Sequence, residues 1–217
     1  ILALNLNLLV IDDGSPDGTA KLIKKSPMYN TKIFLIERSY KMGLGSAYRE
    51  GFSWFLKSKY SHCIEMDADF SHNPKDLIKL YNSNAKYGGD LSIGSRYVKG
   101  VNIVNWPMSR LLMSFFASKY VKLITGMPIH DSTAGFKCYK RKVLETIRLN
   151  KIQFVGYAFQ IEMKFKAWKY GFNLVEVPVI FTDRTEGASK MSGGIFMEAV
   201  LGVIKMKIKS FFRSWKR

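Results

Sequence analysis

The residues of this chain with the clearest chemistry are carboxylates and cations at the ends of apolar runs. In EMDADFSHNP (Glu65–Pro74), Asp67 and Asp69 are separated only by Ala68 and follow a short apolar stretch. Side chains alternate along an extended segment, so the two carboxylates share a face. Carboxylates aimed the same way repel unless a cation lies between them. A hard divalent ion such as Mg2+ or Mn2+ takes oxygen ligands and bridges carboxylates to substrate phosphates. A plainer role is open to Asp69 or Ser71, either of which could cap a helix opened by Asn73-Pro74. Capping uses one acid and leaves the pair unexplained.

DDGSPDGT (Asp12–Thr19) ends an earlier apolar run. Its Asp, Gly, Ser and Pro are turn formers. Turn chemistry asks for one acid, and the pair Asp12 and Asp13 could also accept hydrogen bonds from a nucleoside's hydroxyl or N–H groups. KMGLGSAY (Lys41–Tyr48) is glycine-rich but is neither a Walker loop nor G-x-G-x-x-G. It reads as a tight turn with Gly43 and Gly45 in special backbone conformations, and as a weaker candidate for close approach to a ligand. Arg96 in GSRY, Arg110, and Arg184 and Lys190 in DRTEGASKM lie in or beside the same kind of loop. Arginine suits bidentate phosphate contacts and lysine a point charge.

These groups need a scaffold that brings strand ends together. Strands are expected at Leu6–Ile11, Lys32–Glu37, Ser61–Met66, Asp90–Gly94, Gly135–Tyr139 and Leu174–Ile180. Helices are expected from Asp17 or Thr19 to Lys25, over Gly45–Ser58, from Asn73, over Met108–Ile124 and over Phe159–Tyr170. The alternation predicts an α/β layered fold with a mainly parallel sheet. In such sheets ligands bind beyond the carboxyl ends of the strands, which is where DDGSPDGT, DADFSHNP, GSRY and DRTEGASKM fall.

Length and composition set limits. The 217 residues, 47% hydrophobic, suffice for one domain with a sizeable core. Lys+Arg number 34 against 17 Asp+Glu, a formal +17, so the partners are anionic: nucleic acid, an acidic membrane surface or phosphorylated substrates. Cys63 and Cys138 make neither a disulfide framework nor a zinc site and read as buried, reduced thiols in a cytosolic setting. No signal peptide or membrane-spanning run is visible. In the tail, Ala199, Val200, Val203, Ile204, Ile208, Phe211 and Trp215 fall on one helical face, opposite Lys205, Lys209, Arg213 and Lys216. Such a basic amphipathic helix either lies in a membrane interface or packs on the domain with a solvated basic face; Lys207 breaks the apolar side and would have to snorkel. The expected division is a catalytic domain over 1–194 and this helix over 195–217.

Seven ordered motifs, VIDDGSPDGTA, KMGLGSAYREG, MDADFSHNP, GSRYVKG, DSTAGFKCYKRKVL, GYAFQIEM and EVPVIFTDRTEGASKM, closely resemble dolichol-phosphate (polyprenol-phosphate) mannose synthases, family 2 glycosyltransferases with the GT-A fold. The resemblance covers nearly the whole chain. It implies transfer of mannose from GDP-mannose to a polyprenyl phosphate, with inversion, using Mg2+ or Mn2+, peripherally at the cytoplasmic face of a membrane. It implies that Asp67 and Asp69 hold the metal, with Asp69, Arg96, Arg184 and Lys190 as the catalytic set. Asp12, Asp13, Gly45, Asp67, Ala68 and Asp69 would bind the nucleotide sugar, and Arg96, Arg110, Ser114, Arg184 and Lys190 the acceptor phosphate. The family's N-terminal strand and its PTYNE-like motif are not matched, so a GT-A sheet short of its first strand is expected. Ser71 stands where some members place a metal-binding Gln. No paired transmembrane helices follow the domain, as in single-domain forms. The acceptor, with a second pKa near ~6, is largely a dianion at neutral pH and needs little general base, so His62, His72 and His130 are left without a role.

Three rivals remain: a UDP-glucose donor, an inactive fragment that still docks on membranes, and a basic nucleic-acid module. The last explains the charge but not paired acids, which would repel a phosphate backbone; no nucleic-acid partner is expected.

Overall fold

The structure, a computed structural model, describes residues 1–154, 156–183 and 193–216. Strand β1 (Leu8–Asp12) runs parallel to β2 (Ile33–Glu37), with Leu8 opposite Ile33 and Asp12 opposite Glu37. The short helix α1 (Thr19–Lys24) joins them. It starts after Gly18 at φ 83, and Asp17 Oδ1 accepts both the Thr19 N–H (2.9 Å) and its hydroxyl (2.6 Å). Helix α2 (Leu44–Lys57) follows, entered through Gly43 at φ 88, and turns Phe52 and Phe55 into the core. Then come β3 (His62–Glu65), α3 (Asp76–Ala85), β4 (Leu91–Ser95), β5 (Ile103–Val104), α4 (Met108–Thr125), β6 (Lys137–Lys140), α5 (Arg141–Ile147), α6 (Tyr157–Lys169), β7 (Leu174–Pro178), β8 (Phe181–Thr182) and α7 (Gly193–Phe211).

The expected α/β architecture is present, with its strands spread over three sheets. A four-stranded sheet has the order β3-β6-β4-β7, with β6 antiparallel to both neighbours and β4 parallel to β7. The pairs β1-β2 and β5-β8 are both parallel. The sheet buries β4 and β6: Leu91, Ile93, Cys138 and Tyr139 have no solvent exposure, and neither do the polar Ser92 and Lys137. Both thiols are free, and burial raises the Cys138 thiol to about 12, so it is a packing residue.

Helix α6 crosses the core and is covered nearly all round. Phe159, Ile161, Met163, Phe165 and Ala167 are buried, and so are Gln160, Glu162, Lys164 and Lys166. Buried charges need partners. Lys166 pairs with Glu162 at 2.6 Å, and Lys164 Nζ donates to the carbonyls of Ser132 (2.8 Å) and Ala134 (2.6 Å). Helix α7 packs on α4 and α6 through Val203 and Met206. The single apolar face expected for it is therefore split: Val203 points inward, while Ile204, Ile208 and Phe211 are 39%, 53% and 71% exposed, and Leu201, outside the expected face, is exposed as well. Lys207 does not snorkel to solvent. Its Nζ donates to the Thr125 carbonyl at 3.1 Å, satisfying the end of α4.

Candidate active site

The carboxyl ends of β3 and β4 open onto a cavity of about 650 Å3. The chain leaves β3 at Glu65 and carries Asp67 and Asp69 to its wall. Asp67 Oδ1 accepts the Tyr48 hydroxyl at 3.1 Å, and its backbone N–H reaches His72 Nδ1 at 3.3 Å. Burial, and then the negative Asp67, hold the Tyr48 phenol well above its ordinary pKa, so it stays a donor. Asp69 Oδ1 accepts both the N–H (3.1 Å) and the hydroxyl (2.5 Å) of Ser71. This tight turn places Phe70 at φ 62 with its ring in solvent. Ser71 thus orients Asp69 rather than capping α3.

Both acids face the cavity, and among the described residues no cluster of three or more His, Cys, Asp or Glu completes a protein cage. That donor set fits Mg2+ or Mn2+, which are held by one or two carboxylates and fill their remaining positions with phosphate oxygens and water. Behind the acids lies a dry charged group. Glu65 pairs with Lys137, which also donates to Gln160 Oε1. Burial pushes the Glu65 carboxyl up to about 7 despite Lys137, and pushes the Lys137 and Lys164 ammonium groups down.

Across the cavity stand the cations. Arg96 follows β4 and is bound by Asp131 at 2.6 Å. Arg110 in the first turn of α4 donates to Asp183 Oδ1 at 2.7 Å. The Trp106 ring lies 4.2 Å from the Arg110 guanidinium and 5.3 Å from that of Arg96, tying the two together. Ser114, one turn after Arg110, is on the same wall. Beyond the arginines the lining turns apolar: Phe116, Ala117 and Val121 of α4 face Ala199, Val200 and Val203 of α7. Phe116 is 61% exposed, so the apolar end reaches the surface.

Asp67, Asp69, Arg96, Arg110 and Ser114 are therefore brought to one cavity. Ala68 is exposed on the loop between the acids. Asp12, Asp13 and Gly45 are not among the cavity's lining residues. Asp12 accepts the Ser15 N–H at 3.1 Å, and Asp13 is held by Arg38 through Nε (2.6 Å) and Nη2 (2.5 Å). Of the two glycines expected in special conformations only Gly43 has positive φ; Gly45 is an ordinary buried residue in the first turn of α2. Arg184 and Lys190 lie outside the described residues. Sequence reasoning missed Tyr48, His72, Trp106, Asp131 and Arg38. The three histidines had been left without a role, yet His72 lines the cavity and braces Asp67.

Residues 2–148 match the family described as Glycosyl transferase family 2. The chain belongs to this family. Among curated relatives it is 44% identical over 205 residues to the polyprenol monophosphomannose synthase of Mycolicibacterium smegmatis, covering 94% of this chain and 77% of that protein. It is 42% identical over 199 residues to the undecaprenyl-phosphate mannosyltransferase of Micrococcus luteus, covering 92% of this chain and 81% of that protein. Among solved structures it resembles the glucosyl-3-phosphoglycerate synthase of Mycobacterium tuberculosis in complex with Mn2+, UDP and phosphoglyceric acid. The TM-score is 0.63 at 13% identity, over 94% of this chain and 67% of that one. At that identity the likeness speaks for the fold, which is the GT-A fold expected from the sequence.

Proposed function

We propose that this glycosyltransferase moves mannose from GDP-mannose to the phosphate of a polyprenyl phosphate, with inversion, at the cytoplasmic face of a membrane. One observation carries the reading: a single cavity has carboxylates and arginines at one end and an apolar stretch between α4 and α7 at the other. A substrate with a phosphate head and a hydrocarbon tail matches both ends. The names of the two curated relatives support the same acceptor class.

Asp67 and Asp69 would hold Mg2+ or Mn2+, which when bound neutralises charge on the departing diphosphate. Tyr48 and Ser71 keep those carboxylates aimed at the cavity. Arg96 and Arg110 set the acceptor phosphate beside a negatively charged donor. An acceptor oxygen attacks the anomeric carbon as the bond to GDP breaks on the opposite side. The acceptor is already a dianion near neutral pH, so the protein's contribution is positioning and electrostatics. Asp12, Asp13 and Gly45 belong to the nucleotide side, and Arg184 and Lys190 to the phosphate side. Leu201, Ile208 and Phe211 of α7 are outward apolar residues on a helix that also carries Lys205 and Lys209, and Phe116 of α4 is exposed as well, a combination that suits an anionic lipid surface.

The test is transfer of labelled sugar into an organic-extractable isoprenyl phosphate. GDP-mannose and UDP-glucose are compared, each with Mn2+ and with chelator. The reading expects label from GDP-mannose alone, lost with chelator and in Asp69→Asn. Label from UDP-glucose alone would overturn the donor.

A further inference from the structure

The turn that follows α4 carries a carboxylate with no part in the scheme above. Asp131 has no solvent exposure, and three N–H groups of one residue converge on it. The Arg96 backbone N–H (3.0 Å) and Nε (2.7 Å) reach Oδ2, and Nη2 reaches Oδ1 at 2.6 Å. Nη2 also donates to Thr133 Oγ1 at 2.8 Å. Burial alone would raise the Asp131 carboxyl, but the Arg96 guanidinium outweighs it and holds it below the usual range. An anion so engaged is not a general base.

Asp131 is itself held. Glu176 of β7 accepts the Asp131 N–H through Oε1 at 2.8 Å, together with the Ser95 hydroxyl at 2.7 Å. Its Oε2 accepts the His130 N–H and lies 2.8 Å from His130 Nδ1. The far side of the turn is braced by the two bonds from Lys164 to Ser132 and Ala134. Gly135 then follows, where an added Cβ would lie 3.7 Å from Asp67 Oδ2. One short turn thus binds the arginine and passes close to the metal-side acid, with room at Gly135 for no more than ordinary contact.

Replacing a buried ion pair by apolar residues is often neutral or stabilising, so stability alone gives this arrangement no reason. Orientation does. Asp131 takes the Nε–Nη2 edge of the guanidinium and so fixes its plane relative to the cavity that Arg96 lines.

We propose that Asp131, fixed by Glu176, is the positioning residue that sets Arg96 for the acceptor phosphate. This rests on the acceptor reading above. The experiment measures GDP-mannose transfer to farnesyl phosphate, with thermal melts alongside. Asp131→Asn is expected to lower kcat/KM for the acceptor about 10²-fold. The donor KM should stay within about twofold, because a loss confined to one substrate's subsite leaves the other's binding intact. Glu176→Gln is expected to cost roughly tenfold, again on the acceptor side. In an Arg96→Lys background, Asp131→Asn should cost less than about threefold more, because both changes remove one interaction. Losses that multiply across the two sites, equal shifts in donor and acceptor KM, or unchanged kinetics would each overturn the proposal. If Asp131→Asn does not fold, Glu176→Gln decides: an acceptor-specific loss supports the proposal and an unchanged acceptor KM overturns it. Wild-type protein that transfers nothing would sink the functional reading and this inference together. Active wild type with independent losses would sink this inference alone.

Discussion

Asp67 and Asp69 stand two residues apart, yet the fold gives them different partners, a buried phenol for one and a serine turn for the other. Their types and their place after a strand were legible in the sequence, as were Arg96, Arg110 and Ser114. Their supports were not. Tyr48, His72 and Asp131 are ordinary residues in sequence and gain meaning only when helix, loop and strand ends meet across long separations. His62 has a different consequence. Burial, then Lys140, hold its imidazole below the usual 6.5, with the Ser61 hydroxyl on Nδ1 at 2.9 Å. As pH falls through 6.5 the unfolded chain takes up a proton before the folded one does, so stability falls with it. Buried Glu65 titrates in the opposite sense over this range, so the test is a difference: from pH 8 to pH 5 the urea midpoint of the wild type is expected to change less favourably than that of His62→Gln.

Elements with a clear period were readable within a residue or two, as at β2 and α4. Others were hidden for physical reasons. Strands β5 and β8 are two residues long, and α5 is seven residues with no acid in its first turn. Helix α6 is buried nearly all round, so its lysines and glutamates do not mark a wet face. The face of α7 was misassigned because its apolar residues serve two surfaces, one inward and one outward. Arg141 at the head of α5 shows how elements are tied. Its guanidinium donates to the carbonyls of Phe55, Leu56, Ser58 and Tyr60 at 2.7 to 3.1 Å, closing the end of α2. Arg141→Met is expected to cost about 2 kcal/mol, since these are hydrogen bonds from a charged donor. Urea unfolding with an unchanged m-value would report it.

For the whole molecule, the formal +17 pointed to anionic partners without choosing among them. The fold sharpens the choice by turning apolar residues of α4 and α7 outward on helices that also carry lysines. Each Lys or Arg near an anionic bilayer contributes about 1 kcal/mol, weakened by salt. Leu201→Glu with Ile208→Glu is expected to weaken sedimentation with anionic vesicles at least tenfold while leaving the melting temperature within about 2 °C, because both side chains are already largely exposed. Unchanged sedimentation would show that these residues do not meet lipid.

Phe116 both lines the cavity and is largely exposed at the surface. An acceptor entering there would not cross water. The enzyme would then search a plane instead of a volume, and the quantity it senses would be the acceptor's mole fraction among the surrounding lipids. Adding inert lipid at constant total acceptor should slow turnover, whereas diluting vesicles and enzyme-bound membrane together should not. An enzyme that collected its acceptor from solution would behave the other way round.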